Sequence, residues 1–174
     1  MTHLTKIALL VGALAVSACT NAGRFGQDDP RLDGSAGAGA GAGFVPGGAG
    51  DPSSPAYFQQ AIGDRVLFLV DQSSLTAEAQ ATLDQQAEWL LTNSDYQAVI
   101  EGHADEQGTR EDNIALGARR ANATMEYLVS KGIASNRLRF ISYGKERPVE
   151  VCAEEACYSK NRRAVTVISM GLGS

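Results

Sequence analysis

The alternation of strand-like and helix-like patterns after residue 64 is the feature that most restricts the fold of this 174-residue chain. Two helices are predicted from apolar residues that recur every three or four positions. The first stripe consists of Leu75, Ala79, Leu83, Ala87 and Leu90. The second, in a helix from about residue 109 to residue 131, consists of Ile114, Ala118, Ala121, Met125 and Leu128. Thr76 is suited to cap the first helix, and Gly132 to end the second.

Four strands are predicted around these helices from short apolar or alternating runs. They are DRVLFLVD from Asp64, YQAVIEGHA from Tyr96, NRLRFISYG from Asn136 and RRAVTVISM from Arg162. The order is therefore β-α-β-α-β-β, and a helix between two strands carries the chain across a sheet face, so hairpins alone cannot connect them. The sequence predicts an α+β fold, a two-layer sandwich with helices packed on a mixed four-stranded sheet.

The N-terminus has the layout of a secretory signal peptide. Lys6 supplies positive charge, residues 7–16 form an apolar run, and small residues stand directly before Cys19. The run is too short to cross a bilayer as a mature helix, so we expect it to be removed. The alternatives are a signal peptide with an incidental cysteine and one that leads to lipidation.

The tetrapeptide VSAC over residues 16–19 resembles a bacterial lipobox, although leucine is commoner where Val16 stands. The resemblance implies cleavage of residues 1–18 and attachment of acyl chains, such as palmitate, to Cys19. Several acyl chains anchor a protein stably, since each buried methylene contributes about 0.8 kcal/mol. Thr20 and Asn21 follow without an aspartate, which for such proteins implies the cell outer membrane and a domain that faces the periplasm.

Residues 19–56 are predicted to form a flexible linker behind this anchor. Gly and Ala alternate in GSAGAGAGAGF, and PGGAGDPSSP adds proline and serine, so little apolar area is available to offset the ordering entropy. A silk-like strand is the alternative for the Gly/Ala tract. About 36 flexible residues have a root-mean-square span of roughly 30 to 36 Å. The folded domain is therefore predicted over residues 57–174.

The formal net charge of -5 argues against a nucleic-acid-binding protein, which would need a basic face. In an oxidising compartment, Cys152 and Cys157 are close enough in sequence to form a disulfide that closes a small loop. A metal site is the alternative, but no histidine or further cysteine lies near them in the sequence. We therefore expect a disulfide ahead of the last strand.

The segment GHADEQGT, over residues 102–109, places a histidine beside two carboxylates and raises the question of catalysis. His103 and Asp105 alternate at a strand end, so their side chains are expected on one face, as an acid/base pair requires. No nucleophile stands in a strained elbow motif. A zinc site lacks ligands, because one of the two histidines lies in the signal peptide. We expect no catalysis, no metal and no cofactor.

A binding site explains more residues of this region. Asn113, Gly117, Arg120 and Thr124 are spaced by four, three and four residues, so they share a face of the second helix distinct from its apolar stripe. Gly117 makes room either for a ligand or for close packing against the loop. Asp105 and Arg120 either flank one pocket with opposite charges or form a simple salt bridge.

Several motifs resemble those of OmpA-like peptidoglycan-binding domains. IEGHADEQGT begins at Ile100, NIALGARRAN at Asn113, ISYGKERP at Ile141 and YSKNRRAV at Tyr158. The resemblance covers about residues 65–168, nearly all of the predicted folded part, with the motifs in the right order. Membership of this family implies a binding protein and not an enzyme.

The resemblance implies that the ligand is the peptide stem of peptidoglycan. The domain is expected to recognise this stem by its meso-diaminopimelate residue. The side-chain end of that amino acid carries an ammonium and a carboxylate on one carbon, and these suit a fixed acid and a guanidinium fork. By position, Asp105 is the acid and Arg120 the fork. Asn113, Gly117 and the loop backbone complete the binding pocket. His103 either shapes the rim of this pocket or contacts the ligand directly.

Other positions are less determined by the resemblance. Arg119, Arg162 and Arg163 either contact stem carboxylates or brace the pocket. Leu69 stands where many relatives have aspartate, so any contact made by that aspartate is absent here. The resemblance also implies TolB and TolA as protein partners and a role in outer-membrane constriction during cell division. The rivals are an OmpA-like lipoprotein without these partners and a periplasmic hydrolase that acts on peptidoglycan with His103 and Asp105.

Overall fold

The computed structural model describes residues 45–151 and 153–171, all within the unit Ala40–Ser174. The predicted signal peptide, the lipidation residue Cys19 and most of the linker lie outside the described residues. The strands are β1 (Arg65–Leu67), β2 (Tyr96–His103), β3 (Leu138–Gly144) and β4 (Arg163–Met170). The α-helices are α1 (Pro55–Tyr57), α2 (Ala77–Thr92), α3 (Arg110–Ser130) and α4 (Glu155–Asn161). A π-helical turn (Phe58–Gly63) follows α1, and a 3-10 turn (Ser135–Arg137) precedes β3.

The strands form one mixed sheet in the order β1-β4-β2-β3. β4 runs antiparallel to both of its neighbours, with Val66 opposite Ala164 and Ile100 opposite Thr166. β2 and β3 are parallel, and α3 supplies the crossover that a parallel pair needs. The predicted α+β fold with helices on a mixed four-stranded sheet is therefore confirmed.

Both long helices begin at threonine caps. The Thr76 hydroxyl accepts from the backbone N–H of Ala79 at 3.2 Å, as predicted for the start of α2. The Thr109 hydroxyl accepts from the N–H of Asp112 at 3.1 Å and donates to its carboxylate at 2.7 Å. Such caps satisfy N–H groups that have no partner within the helix. Gly132, with φ of 102°, follows α3 in the conformation that the sequence predicts.

The core lies between the sheet and the two long helices. Its largest fully buried apolar side chains are Phe58, Leu83, Leu90, Ile100, Leu128 and Ile133. At the centre α3 touches β2 directly, because a Cβ on Gly102 would lie 1.9 Å from the carbonyl oxygen of Gly117. A Cβ on Gly117 would in turn lie 2.4 Å from the Ser142 hydroxyl. Gly117 therefore serves close packing, against the sheet and not against the loop.

β1 is shorter than the apolar run that predicted it. The strand ends at Leu67, and the backbone turns so that the N–H of Gln72 donates to the carbonyl of Leu69. Asp71 has a φ of 56° in this turn. The side chains of Leu69 and Val70 are consequently half exposed and do not continue the core.

The described fold begins nearer the N-terminus than residue 57, the predicted boundary. The Trp89 indole donates to the carbonyl of Pro52 at 2.7 Å. Ser54 is buried, donates to the carbonyl of Gly48 at 2.6 Å and caps α1 through the N–H of Tyr57. Residues from about 48 onward are thus held against α2.

Helix α4 was not predicted from the sequence. Among its residues only Cys157 and Asn161 are buried. The Asn161 amide fastens the preceding loop, since it accepts from the N–H of Val149 at 2.8 Å and donates to the carbonyl of Glu150 at 2.8 Å. The Cys157 sulfur is in a disulfide. Cys152 lies outside the described residues, so the pairing of these two cysteines stays a prediction.

Candidate functional site

Arg120 joins three segments of backbone at the end of the sheet. Its side chain is 0% exposed. The guanidinium donates from Nε to the carbonyl of Gln72 at 2.8 Å, from Nη1 to that of His103 at 2.9 Å, and from Nη2 to that of Leu69 at 3.1 Å. Burial lowers the pKa of Arg120 to about 10, and the nearby charge of Asp105 opposes that shift. The Arg120 guanidinium, predicted to bind a ligand carboxylate, therefore also holds the turn after β1 against the end of β2.

Asp105 is paired with Arg162 in this structure. Its carboxylate is 8% exposed, with Oδ2 accepting from Arg162 Nη1 at 3.1 Å and Oδ1 from the N–H of Gln107 at 3.2 Å. Of the two sequence alternatives for Asp105 and Arg120, a direct salt bridge does not form here, although the two charges are close enough to influence each other. Asp105 is thus hydrogen-bonded to Arg162 and close enough to Arg120 for their charges to interact.

Arg162 braces the site through contacts on each side of its guanidinium. Nε donates to the carbonyl of Phe68 at 3.3 Å, and the Nη atoms donate to Asp105 and Glu155. The hydrogen bond to Glu155 is the main cause that raises the pKa of Arg162. Arg163 is also buried and donates to the carbonyls of Asn161 and Arg147. Both arginines make the contacts expected of the bracing alternative, whereas Arg119 is exposed.

Asn113 shapes the loop that follows Asp105. It is buried, and its Nδ2 donates to the carbonyl of Gln107 at 2.8 Å. Asn113 therefore fixes the loop backbone from α3, while Lys145 holds the same loop from outside through the carbonyl of Gly108 at 2.9 Å.

The His103 imidazole offers no atom to an external ligand, because it is 1% exposed. Its centroid lies 5.6 Å from that of Tyr143, and Nε2 is 3.8 Å from the Glu101 carboxylate. Burial lowers the pKa of His103 to about 4, and the charges of Arg163 and Arg147 act in the same direction. His103 reaches the site only through its carbonyl, on Arg120, so an acid/base pair of His103 and Asp105 has no support in the geometry.

The site carries more buried positive than negative charge. The side chains of Arg120 and Arg162 are buried with the single buried carboxylate of Asp105, and Glu155 compensates only from a largely exposed position. Arg120 has carbonyl partners but no carboxylate in direct contact, so its buried charge favours an incoming anion. Leu69, at the edge of the site, adds an exposed apolar side chain and no charge.

The site is closed over in this structure. A groove of about 480 Å³ beside β1 and the start of α2, lined among others by Leu67, Thr76, Val149 and Lys160, contains none of the predicted site residues.

Among residues 45–151 and 153–171, no group of three potential ligands could hold a metal ion. No helix in the same described ranges is long and apolar enough to span a membrane.

Fold and site together define a binding domain built on an α+β sandwich, and the match to the OmpA family over residues 67–162 shows that the chain belongs to this family. It is similar to the peptidoglycan-associated lipoprotein of Rhizobium meliloti, with 52% identity over 95% of this chain and 87% of the relative. The protein of the same name from Mesorhizobium japonicum is 59% identical over 73% of this chain and 75% of the relative.

Solved structures agree with this assignment. The crystal structure of the peptidoglycan-associated lipoprotein from Burkholderia pseudomallei superposes with a TM-score of 0.62 and 36% identity, covering 70% of this chain and 98% of that one. The C-terminal domain of Helicobacter pylori MotB has a TM-score of 0.58, covering 63% of this chain and 86% of that one. Its identity of 21% supports the fold alone.

The sequence predicted a role for the loop backbone but not which of its residues contributes, and it did not indicate Glu155 at all. Glu155 lies on a helix too short to give a periodic pattern, and Gln107 contributes through its backbone N–H and carbonyl. The spacing of seven residues between Glu155 and Arg162, two helical turns, is the only signal in the sequence that connects that pair.

Proposed function

We propose that this chain is a peptidoglycan-associated lipoprotein that binds the cell wall non-covalently through meso-diaminopimelate stem peptides. Family membership and the names of the relatives support the wall as the target. In this proposal Cys19 carries the acyl chains in the outer membrane, and the domain reaches the wall from the periplasmic side. The chain is a tether and not an enzyme.

The excess of buried guanidinium groups over carboxylates is the observation that carries the proposed ligand chemistry. The ligand carboxylate compensates the charge of Arg120, and the ligand ammonium pairs with Asp105. Three of the five Arg120 N–H donors are used by backbone carbonyls, which leaves two for a carboxylate. Arg120 is fully buried, so binding requires the turn over residues 69–72 to shift outward, which also frees the donors now bonded to Leu69 and Gln72.

Selectivity follows from the same charges. A stem peptide with lysine in place of meso-diaminopimelate keeps the ammonium but has no carboxylate for Arg120. Leaving a buried charged donor without its partner costs about 1 to 3 kcal/mol, which is roughly a 5- to 150-fold loss of affinity. Diaminopimelate-type walls are therefore the expected target.

The Tol-Pal system is the proposed setting, with TolB and TolA as partners and support of outer-membrane invagination during division as the role. Many anchored copies on one membrane bind one wall, so modest individual affinities add up through avidity. A pull-down of the full chain with TolB tests this part separately from wall binding.

Co-sedimentation of the purified full chain with isolated sacculi tests the wall-binding function. Asp105→Asn removes the buried negative charge with little change of shape, and we expect at least a tenfold loss of bound protein. Asp95→Asn, the same change at an exposed residue elsewhere, is the control and should bind as the wild type does. Arg120→Ala is less suitable, because loss of its three carbonyl contacts is expected to destabilise the fold.

Two results would contradict the proposal. Equal binding by Asp105→Asn and wild type would refute the assignment of the pocket. Release of soluble muropeptides from sacculi by the wild type would favour the rival hydrolase instead.

A further inference from the structure

Glu155 contacts the site from the solvent side. Its carboxylate oxygens accept from both Nη atoms of Arg162, the Nη1 contact being 3.4 Å long. The Glu155 side chain is 64% exposed, whereas that of Arg162 is 5% exposed. The outer edge of the Arg162 guanidinium is thus covered by a carboxylate that α4 supplies.

Arg162 is consequently shared between two carboxylates. Nη1 donates to Asp105 at 3.1 Å and also to Glu155, while Nη2 donates to Glu155. Asp105 therefore receives one N–H from Arg162 and one from the backbone of Gln107. A carboxylate has about four lone-pair directions, so two acceptor positions of Asp105 remain.

We propose that Glu155 is a positioning residue that restrains Arg162 and so keeps Asp105 available to the ammonium group of a zwitterionic ligand. The inference rests on the proposed function, since it concerns the same site. It assigns a part in recognition to Glu155, an exposed residue of α4 that lies outside the family motifs of the sequence.

The effect follows from how guanidinium groups pair. Arg and carboxylate prefer two parallel N–H···O bonds, and Glu155 now occupies that bidentate position on Arg162. Without its charge, Arg162 turns both Nη atoms to Asp105 and fills the free acceptor positions. The site also gains one unit of positive charge, which repels the ligand ammonium.

The experiment compares Glu155→Gln with Glu154→Gln in the full chain. Both variants remove one charge at the start of α4, but Glu154 is exposed and its side chain makes no capping hydrogen bond. Calorimetric titration uses a tripeptide that ends in meso-diaminopimelate and a second peptide whose side-chain amine is acetylated. Thermal unfolding checks that both variants are folded.

For the free-amine peptide we expect Glu155→Gln to weaken binding about threefold to fivefold, as suits an exposed ion pair. Glu154→Gln should stay close to the wild type. The acetylated peptide lacks the ammonium, so its weaker binding should not change between the three proteins. In the NMR spectrum of the free protein, the Arg162 Nε–H resonance should shift in Glu155→Gln and not in Glu154→Gln.

Three outcomes would overturn the proposal. Equal weakening by both variants would show a general effect of surface charge. Tighter binding by Glu155→Gln would make Glu155 a competitor of the ligand. An unchanged Arg162 resonance would show that Glu155 does not restrain the guanidinium. If the wild type itself fails to bind the free-amine peptide, the proposed function fails, whereas the comparison of variants tests Glu155 alone.

Discussion

Replacing Gly102 by alanine tests the direct contact between β2 and α3. The added Cβ would lie 1.9 Å from the carbonyl oxygen of Gly117 and 2.7 Å from its carbonyl carbon. It would also lie 2.9 Å from the Cβ of Ala121. The first two atoms belong to the α3 backbone, so no rotamer change relieves the clash. To reach an ordinary contact near 3.5 Å, α3 has to retreat by about 1.5 Å.

The cost is expected at the upper end of the range for overpacking. Inserted methyl groups in packed cores usually cost 1 to 3 kcal/mol, and here the obstacle is backbone. We expect Gly102→Ala to lower the free energy of unfolding by about 3 kcal/mol and the thermal midpoint by roughly 12 °C. Because α3 carries Arg120 and Asn113, the same displacement should also disturb the candidate site.

Urea denaturation and calorimetry of the full chain measure this effect. Gly50→Ala is the matched control, since a Cβ there meets nothing within 4 Å and Gly50 is exposed. The control should change stability by less than about 0.5 kcal/mol. A loss below 1 kcal/mol for Gly102→Ala would refute the argument that this contact fixes the distance between helix and sheet.

Two other predictions concern stability. Folding lowers the pKa of His103 from 6.5 to about 4. Between these two pH values the unfolded chain binds a proton at His103 that the folded chain does not bind. The free energy of unfolding should therefore fall by up to about 1.4 kcal/mol per unit as the pH falls from 6.5 to 4. Urea titrations across this range should show a shallower fall for His103→Gln. Arg137 donates to backbone carbonyls at the end of α2 and the start of β2. Arg137→Ala should therefore lower the free energy of unfolding, measured in urea, by about 2 to 3 kcal/mol. The control Arg139→Ala, at an exposed residue, should change it little.

The long elements could be predicted because their patterns are local. Thr76, Gly132 and the two apolar stripes define α2 and α3 without any tertiary information. The seven-residue α4 buries only Cys157 and Asn161, too few positions to show a helical period. β1 was predicted too long, because an apolar run does not reveal where the backbone leaves the sheet to meet Arg120.

In the candidate site, the proximity of Asp105 and Arg120 could be predicted from the sequence, but the hydrogen-bond partners of Asp105 could not. Asp105 and Arg120 come close because a strand end and the following helix bring them together, which their spacing indicates. The partner of Asp105 is Arg162, more than fifty residues away, and only tertiary structure selects it. The side chains of His103 and Asp105 were expected on one face, but β2 ends at His103. Asp105 lies beyond the strand, where alternation no longer gives the side-chain direction.

The position of β4 has a consequence for how the protein is made. This strand lies between β1 and β2, yet it is the last of the four to leave the ribosome. Until residue 170 has been synthesised, β1 has no neighbour and the β2–β3 pair has an open edge. Pairing β1 with β4 also closes a loop of about a hundred residues, which slows folding. The sheet therefore assembles late, and strand edges stay exposed until β4 has joined β1 and β2.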